Sequence, residues 1–208
     1  YLASTLPADA GGQGLSTLEF SALCEGLAPS LTLIGNHSVQ RYLHRFASDA
    51  QRARFLPALL AGDSIGAISM TEPHAGSDLE RMTTTARRVG DSYVLNGEKT
   101  WVTHGLAADV IVVLARTDGG LTRFLVPGDA EGLERAALTP VGLAHLGFAR
   151  LGFRDCVVPA ALRFGAEGQG LKGAKAAFPI ARVLAALQAV RIARGALDLA
   201  RDYARDRV

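Results

Sequence analysis

The chain has 208 residues, enough for one large domain or two smaller ones at ~150 residues each. Apolar residues make up 49% and charged residues 20%, a globular composition that excludes disordered and collagen-like chains. The net charge of +2, from 22 basic and 20 acidic residues, excludes a dedicated nucleic-acid binder and a polybasic membrane anchor.

Residues 15–62 read as helical. Ser16-Thr17-Leu18-Glu19 has the spacing of a capping box ahead of apolar Phe20, Leu23 and Leu27. A second helix is expected over Ser30–Phe46. A third starts near Asp49 as its cap and ends at Gly62, with Pro57 disturbing it midway. From residue 64 to 160 the period changes to that of strands. Ile65–Met70, Thr83–Val89, Val110–Ala115, Arg123–Val126 and Arg150–Phe153 are candidates. Tyr93–Leu95 and Thr100–Thr103 flank Asn96-Gly97, which predicts a hairpin turn there. Short strands at this spacing point to a barrel or sandwich. Residues 168–208 return to a helical period, interrupted only by Pro179. Helices, then strands, then helices exclude a doubly wound sheet. No initiator Met opens the chain, and Leu197–Val208 still reads as helix without a Gly or Pro stop, so the sequence reads as a fragment.

Cys24 and Cys156 belong to no metal or redox spacing and read as two buried thiols in a reducing compartment. The longest apolar run, Val110–Ala115, is far short of the ~20 residues that span a bilayer, and Tyr1–Gly14 has no signal-peptide pattern. A cytoplasmic protein is expected.

Several motifs invite a chemical reading. Gly168-x-Gly170-x-x-Gly173 has the letters of a dinucleotide fingerprint. It follows no buried parallel strand and has no acidic residue about 20 positions on, so it reads as a turn into a helix. His37 and His44 are two helical turns apart, about 10 Å, and His74, His104 and His145 are isolated, so no metal site is expected. Ser77 lies in the turn-forming stretch Glu72–Asp78 with no nucleophile elbow, and alone reads as a polar loop. Trp101 is the only Trp, and Thr103 is two residues on. In a strand the two would share a face, and with Thr71 they would suit a flat, polar-edged ligand. Core packing is the other reading of Trp101.

Met70-Thr71-Glu72-Pro73-His74-Ala75-Gly76-Ser77-Asp78 resembles the T-E-P-x-A-G-S-D signature of the acyl-CoA dehydrogenase family. Leu95-Asn96-Gly97-Glu98-Lys99-Thr100-Trp101-Val102-Thr103-His104-Gly105 resembles its L-N-G-x-K-x-W-I-T-N-G signature. Gly11–Leu15, Phe55–Gly62, Phe153–Pro159 and Gly165–Gly170 resemble shorter family motifs in the same order. The resemblance implies an α+β chain: the C-terminal part of an N-terminal helical domain (1–63), a middle β-barrel domain (64–165), and the first part of a C-terminal helical bundle (166–208).

It also implies bound FAD, and dehydrogenation of an acyl-CoA or acyl-carrier-protein thioester in fatty acid metabolism. A Glu removes the α-proton, and the β-hydride passes to flavin N5. By position, Thr103 would hydrogen-bond near N5, Trp101 and Val102 would pack beside the isoalloxazine, and Ser69, Met70 and Thr71 would line its pyrimidine side. Ser77 would contact the CoA part, Arg182 the thioester and pantetheine, and Arg207 the FAD of a neighbouring subunit in a homodimer or homotetramer. An electron-transfer flavoprotein is the implied electron acceptor. The family's base lies beyond the position matching Val208, so no catalytic residue is assigned, and Glu72 is not the base.

The sequence departs from the pattern at several places. His104 replaces Asn, Pro179 replaces Asp and Arg191 replaces Gly. Ala144, Leu146 and Phe148 stand where Arg, Ser and Thr are usual in the Val141–Leu151 loop. The altered Val141–Leu151 loop, Pro179 and the missing base motivate a rival reading, a non-catalytic partner subunit; a flavin oxidase or monooxygenase on the same scaffold is a further alternative.

Overall fold

The computed structural model describes residues 4–27 and 34–207. Tyr1, Val208 and the Ser30–Leu33 start of the expected second helix lie outside them. Three helices come first: α1 (Thr17–Leu27), α2 (Ile34–Phe46) and α3 (Asp49–Ala61). The capping box at α1 forms as read, with Glu19 N donating to Ser16 Oγ at 3.2 Å and Ser16 N to Glu19 Oε2 at 2.8 Å. At α3 the cap is Ser48 and not Asp49: Ser48 and Gln51 close a capping box, which leaves Asp49 inside the first turn. Gly62 ends α3 with φ 87°. Pro57 does not break the helix. It and Ala53 are exposed, so the carbonyl that Pro57 cannot serve faces water.

The middle of the chain forms β1 (Gly66–Ser69), β2 (Thr85–Val89), β3 (Ser92–Val102), β4 (Val110–Thr117), β5 (Gly120–Pro127), β6 (Leu133–Ala137), β7 (Ala149–Pro159) and β8 (Arg163–Phe164). They make one mixed eight-stranded sheet in the order β6-β7-β3-β2-β4-β5-β8, with β1 parallel to β4. Strands β4 and β5 are buried almost throughout, as an apolar run covered on both faces must be.

Two expectations fail here. Asn96-Gly97 is no hairpin turn: β3 runs straight through it, and the turn lies at Gly90-Asp91, where Val89 pairs with Ser92. Pairing with β7 overrides the local signal. Asn96 instead fills a bulge, its side chain accepting from Asp155 N at 2.9 Å and donating to Asp155 Oδ1 at 2.9 Å. Gly97 is needed because a Cβ there would sit 2.7 Å from Thr84 Cα. Nor do Trp101 and Thr103 share a strand face. A second bulge between Lys99 and Val102 gives Trp101 a φ of 55°, and the strand ends at Val102. Alternation is lost at a bulge.

Helix α4 (Gly170–Asp206) closes the described chain, with Pro179 accommodated inside it. The Gly168/Gly170 pair is a turn into this helix. A Cβ on Gly168 would meet Gly119 O at 2.2 Å, and one on Gly170 would meet Leu121 O at 2.7 Å. These glycines let α4 start against the β4–β5 hairpin. Further along, Leu184 of α4 packs on Phe20 and Cys24 of α1.

Candidate functional site

Strand β1 packs against α2, and two adjoining cavities open between these elements and the stretch of α4 from Phe178 to Gln188. The first, about 220 Å³, is lined by Met70, Arg41, Tyr42, Phe46 and Phe178 among others. The second, about 260 Å³, is lined by Gly35, Thr103, Leu143, Leu146 and Phe148 among others. Ser38 of α2 and Ile68 of β1 border both.

The fold thus brings Met70 and Thr103 to one cleft, although they lie on different elements. Ser69, next to Ile68, is fully buried, and its hydroxyl has no hydrogen-bond partner among the described residues. Trp101 is 52% exposed and meets Phe148 edge-on at 6.4 Å, which sets it at the rim of the second cavity. Val102 is buried in the core. Thr71 is half-buried, and its carbonyl accepts from Thr100 N at 2.9 Å. Of the nine expected residues only Met70 and Thr103 line these cavities; Ser77, Arg182 and Arg207 lie farther out. Ser77 is exposed on its loop. Arg182 is exposed on α4, 5.8 Å over the ring of Phe178, which does line the first cavity. Arg207 is exposed at the end of α4, over Tyr203.

What holds the cleft in shape is a pair that the sequence reading did not single out. Glu72 follows β1 in a tight turn in which it exchanges backbone hydrogen bonds with Ala75. Its buried carboxylate accepts from Thr83 N at 2.7 Å, Thr83 Oγ1 at 3.0 Å, Thr84 N at 2.9 Å and Lys99 Nζ at 2.9 Å. Burial alone would raise its pKa, but these donors outweigh burial and hold it at about 2. Lys99 is 0% exposed and also donates to Met70 O at 3.1 Å. Burial pulls its pKa down to about 8, against the pull of Glu72. Lys99, Glu72 and the Thr100–Thr71 bond therefore tie the loop after β1 to the second half of β3. The signal available was Lys99 itself, one of three Lys beside nineteen Arg, at a strand position where alternation points inward.

On the other wall, α2 approaches the turn after β3 through Gly35. A Cβ there would lie 2.6 Å from the His104 ring, so only Gly admits this histidine, which stands where the family pattern has Asn. His37 of α2 stacks on Phe20 at 4.0 Å and is bonded to Thr5 Oγ1 at 2.7 Å. Burial, then the charge of Arg41, lowers its pKa to about 4. Among the described residues no group of three or more His, Cys, Asp or Glu could hold a metal. No described helix is long and apolar enough to cross a membrane.

A helical front, a mixed sheet and a long closing helix thus enclose a cleft between sheet and helices. Residues 1–63 match the family model "Acyl-CoA dehydrogenase, N-terminal domain", and residues 67–156 match "Acyl-CoA dehydrogenase, middle domain". The chain belongs to the acyl-CoA dehydrogenase family. It is 35% identical over 219 residues to the human short-chain specific acyl-CoA dehydrogenase, mitochondrial, covering 100% of this chain and 53% of that protein. It is 39% identical over 212 residues to benzylmalonyl-CoA dehydrogenase of Aromatoleum aromaticum, covering 97% and 56%. The chain thus spans about half the length of the curated relatives it matches.

Three solved structures are similar in fold. One is a chain in the structure of the electron transferring flavoprotein of Acidaminococcus fermentans (TM-score 0.92, 33% identity, 100% of this chain and 58% of that one). Another is a glutaryl-CoA dehydrogenase from Mycobacterium smegmatis in complex with FADH2 (0.91, 31%, 100% and 55%). The third is the prolyl acyl carrier protein oxidase AnaB (0.89, 31%, 99% and 58%).

The family's cofactor is FAD, and the residues present fit it. The Thr103 hydroxyl at the second cavity is a donor for a heterocycle's polar edge. Leu143, Leu146 and Phe148 supply an apolar wall for its face.

Proposed function

We propose that the protein containing this chain is an FAD-dependent dehydrogenase that forms a double bond between Cα and Cβ of an acyl thioester, carried on CoA or on an acyl carrier protein. The observation that carries this reading is the meeting of both signature segments at one cleft, through Met70 and Thr103. Bound FAD would supply the two-electron acceptor for the β-hydride. The α-proton would go to a Glu outside this chain.

Within the chain, Thr103 would hydrogen-bond the reacting edge of the flavin, and Trp101 and Val102 would flank its ring system. Ser69, Met70 and Thr71 would serve its pyrimidine side, where donors favour the negative charge of the reduced form. Ser77 and Arg182 would hold the carrier arm of the thioester, and Arg207 would reach the FAD of a neighbouring subunit in a homodimer or homotetramer. Likeness to a chain from an electron transferring flavoprotein structure supports such a protein as electron acceptor. A cytoplasmic location belongs to the same reading, although several relatives are named as mitochondrial.

A second reading, oxidase chemistry on a carrier-protein substrate, is favoured by the likeness to AnaB. Reoxidation separates the two. A dehydrogenase passes electrons to an electron-transfer flavoprotein without hydrogen peroxide, whereas an oxidase consumes oxygen and releases peroxide.

A further inference from the structure

The first cavity is apolar along β1 and α4 but cationic along α2. Arg41 and Arg45 both line it. They stand one helical turn apart, so their side chains share one face, and like charges at this spacing repel. Burial, followed by the charge of Arg45, lowers the pKa of Arg41. Among the described residues no carboxylate lies within 4.0 Å of either guanidinium, and no hydrogen bond engages either one. Other arginines of the chain do find acids, as Arg154 finds Glu134 at 2.8 Å.

A third cation stands behind the same wall. Arg123 of β5 is 5% exposed, with Nε and Nη1 bonded to nothing among the described residues. Its guanidinium lies 5.4 Å from the ring of Tyr42 and 4.4 Å from that of Phe46, two rings that line the cavity. His37, also on this wall, stays neutral and adds no further positive charge. Two guanidinium groups therefore line the cavity and a third lies behind two of its rings, with no ion-pair partner for any of them among the described residues. Arg41 is half-buried, whereas Arg45 is exposed and lies 5.3 Å over the ring of Phe46, so the cost of unpaired charge falls on Arg41 and Arg123, and an anionic ligand at this wall lowers it.

We propose that this part of the cavity is an anion subsite, in which Arg41 and Arg45 engage a carboxylate or phosphate group of the thioester substrate. The inference rests on the acyl thioester reading above. The negative group has two sources: a carboxylate at the far end of the acyl chain, or a phosphate of the carrier.

Four probes separate them, used with the full-length, FAD-loaded protein: pentanoyl-CoA, glutaryl-CoA, and the N-acetylcysteamine thioesters of the same two acids, which lack phosphate. Dissociation constants are measured for all four, with anaerobic flavin reduction as a second readout. In Arg41→Gln and Arg45→Gln, binding of the anionic class weakens by about 10-fold or more, as for a lost charged hydrogen bond. A loss confined to the two glutaryl thioesters assigns the acyl carboxylate. A loss on both CoA thioesters and neither short thioester assigns the carrier phosphate. Arg41→Lys, which keeps the charge, restores part of the affinity.

Changes below two-fold on all four probes overturn the subsite. So does an equal loss that includes the neutral pentanoyl N-acetylcysteamine thioester, because that marks a structural role. Failure of every thioester to reduce the flavin of the wild type counts against the dehydrogenase reading instead, and the dissociation constants still decide the subsite.

Discussion

Lys99→Met in the full-length protein removes the ammonium group that pairs at 2.9 Å with the buried carboxylate of Glu72 and leaves His74 Nε2 at 3.5 Å. Met matches the length of the Lys stem, so the change deletes charge and donors and leaves little cavity. Breaking one partner of a buried pair costs roughly 3–5 kcal/mol. Three donors to Glu72 remain, from Thr83 N, Thr83 Oγ1 and Thr84 N, which places the expected loss near the lower end, about 3 kcal/mol. The Met70 carbonyl loses its 3.1 Å donor as well, so FAD affinity falls together with stability. Denaturant unfolding measures the first effect and flavin titration of the apoprotein the second. Glu72→Gln removes the charge while keeping an acceptor. The double variant Lys99→Met/Glu72→Gln is then more stable than the sum of the two single losses predicts. A Lys99→Met protein within about 0.5 kcal/mol of wild type, the range of ordinary surface changes, would refute the claim that this pair holds the cleft.

Other outcomes follow from particular contacts. Thr103→Ala weakens FAD binding about 2- to 12-fold in a titration, the equivalent of one neutral hydrogen bond at ~0.5–1.5 kcal/mol; unchanged affinity and unchanged flavin reduction would remove Thr103 from the site. Gly97→Ala forces a Cβ onto the Thr84 backbone at a φ of 143° and destabilises by about 1–3 kcal/mol in unfolding experiments. His37 has a folded pKa of about 4 against an ordinary 6.5, so the unfolded chain binds more protons between those values. Its contribution is full above pH 6.5 and is lost as pH falls toward 4, by up to about 3 kcal/mol. Unfolding free energies of wild type and His37→Phe, measured from pH 4 to 7, should differ in slope over that window; parallel curves would show that His37 is not buried neutral.

Local rules carried the helices and most strands. The Ser16 cap, the Gly62 stop and the buried run of β4 each rest on residues close in sequence, and each formed where it was read. The misses have a common cause in pairing across distance. Asn96-Gly97 is a strong local turn signal, yet the opposing residues of β7 turn it into a bulge. Strand β6, Leu133–Ala137, is made of Leu, Glu, Arg and Ala, all good helix formers, and is a strand because β7 supplies its ladder from Ala149 to Phe153. Strand β8 is two residues long, too short to show a period. At the site, the motifs located Met70 and Thr103, but nothing local shows that Lys99 reaches Glu72 across 27 positions. The cationic wall was equally hidden, because the sequence shows Arg41 and Arg45 on one helix face but not the cavity before them.

The central claim is that this chain builds the flavin and thioester cleft of a dehydrogenase, and one titration tests it most directly. Full-length protein loaded with FAD is held without oxygen, and a saturated acyl-CoA is added in steps while the visible flavin band is followed. The account predicts that the band bleaches on addition of substrate and that the enoyl thioester appears in equal amount to the flavin reduced. A protein that takes up no FAD, or whose flavin stays oxidised with straight-chain, branched and dicarboxylic acyl-CoA alike, would contradict it.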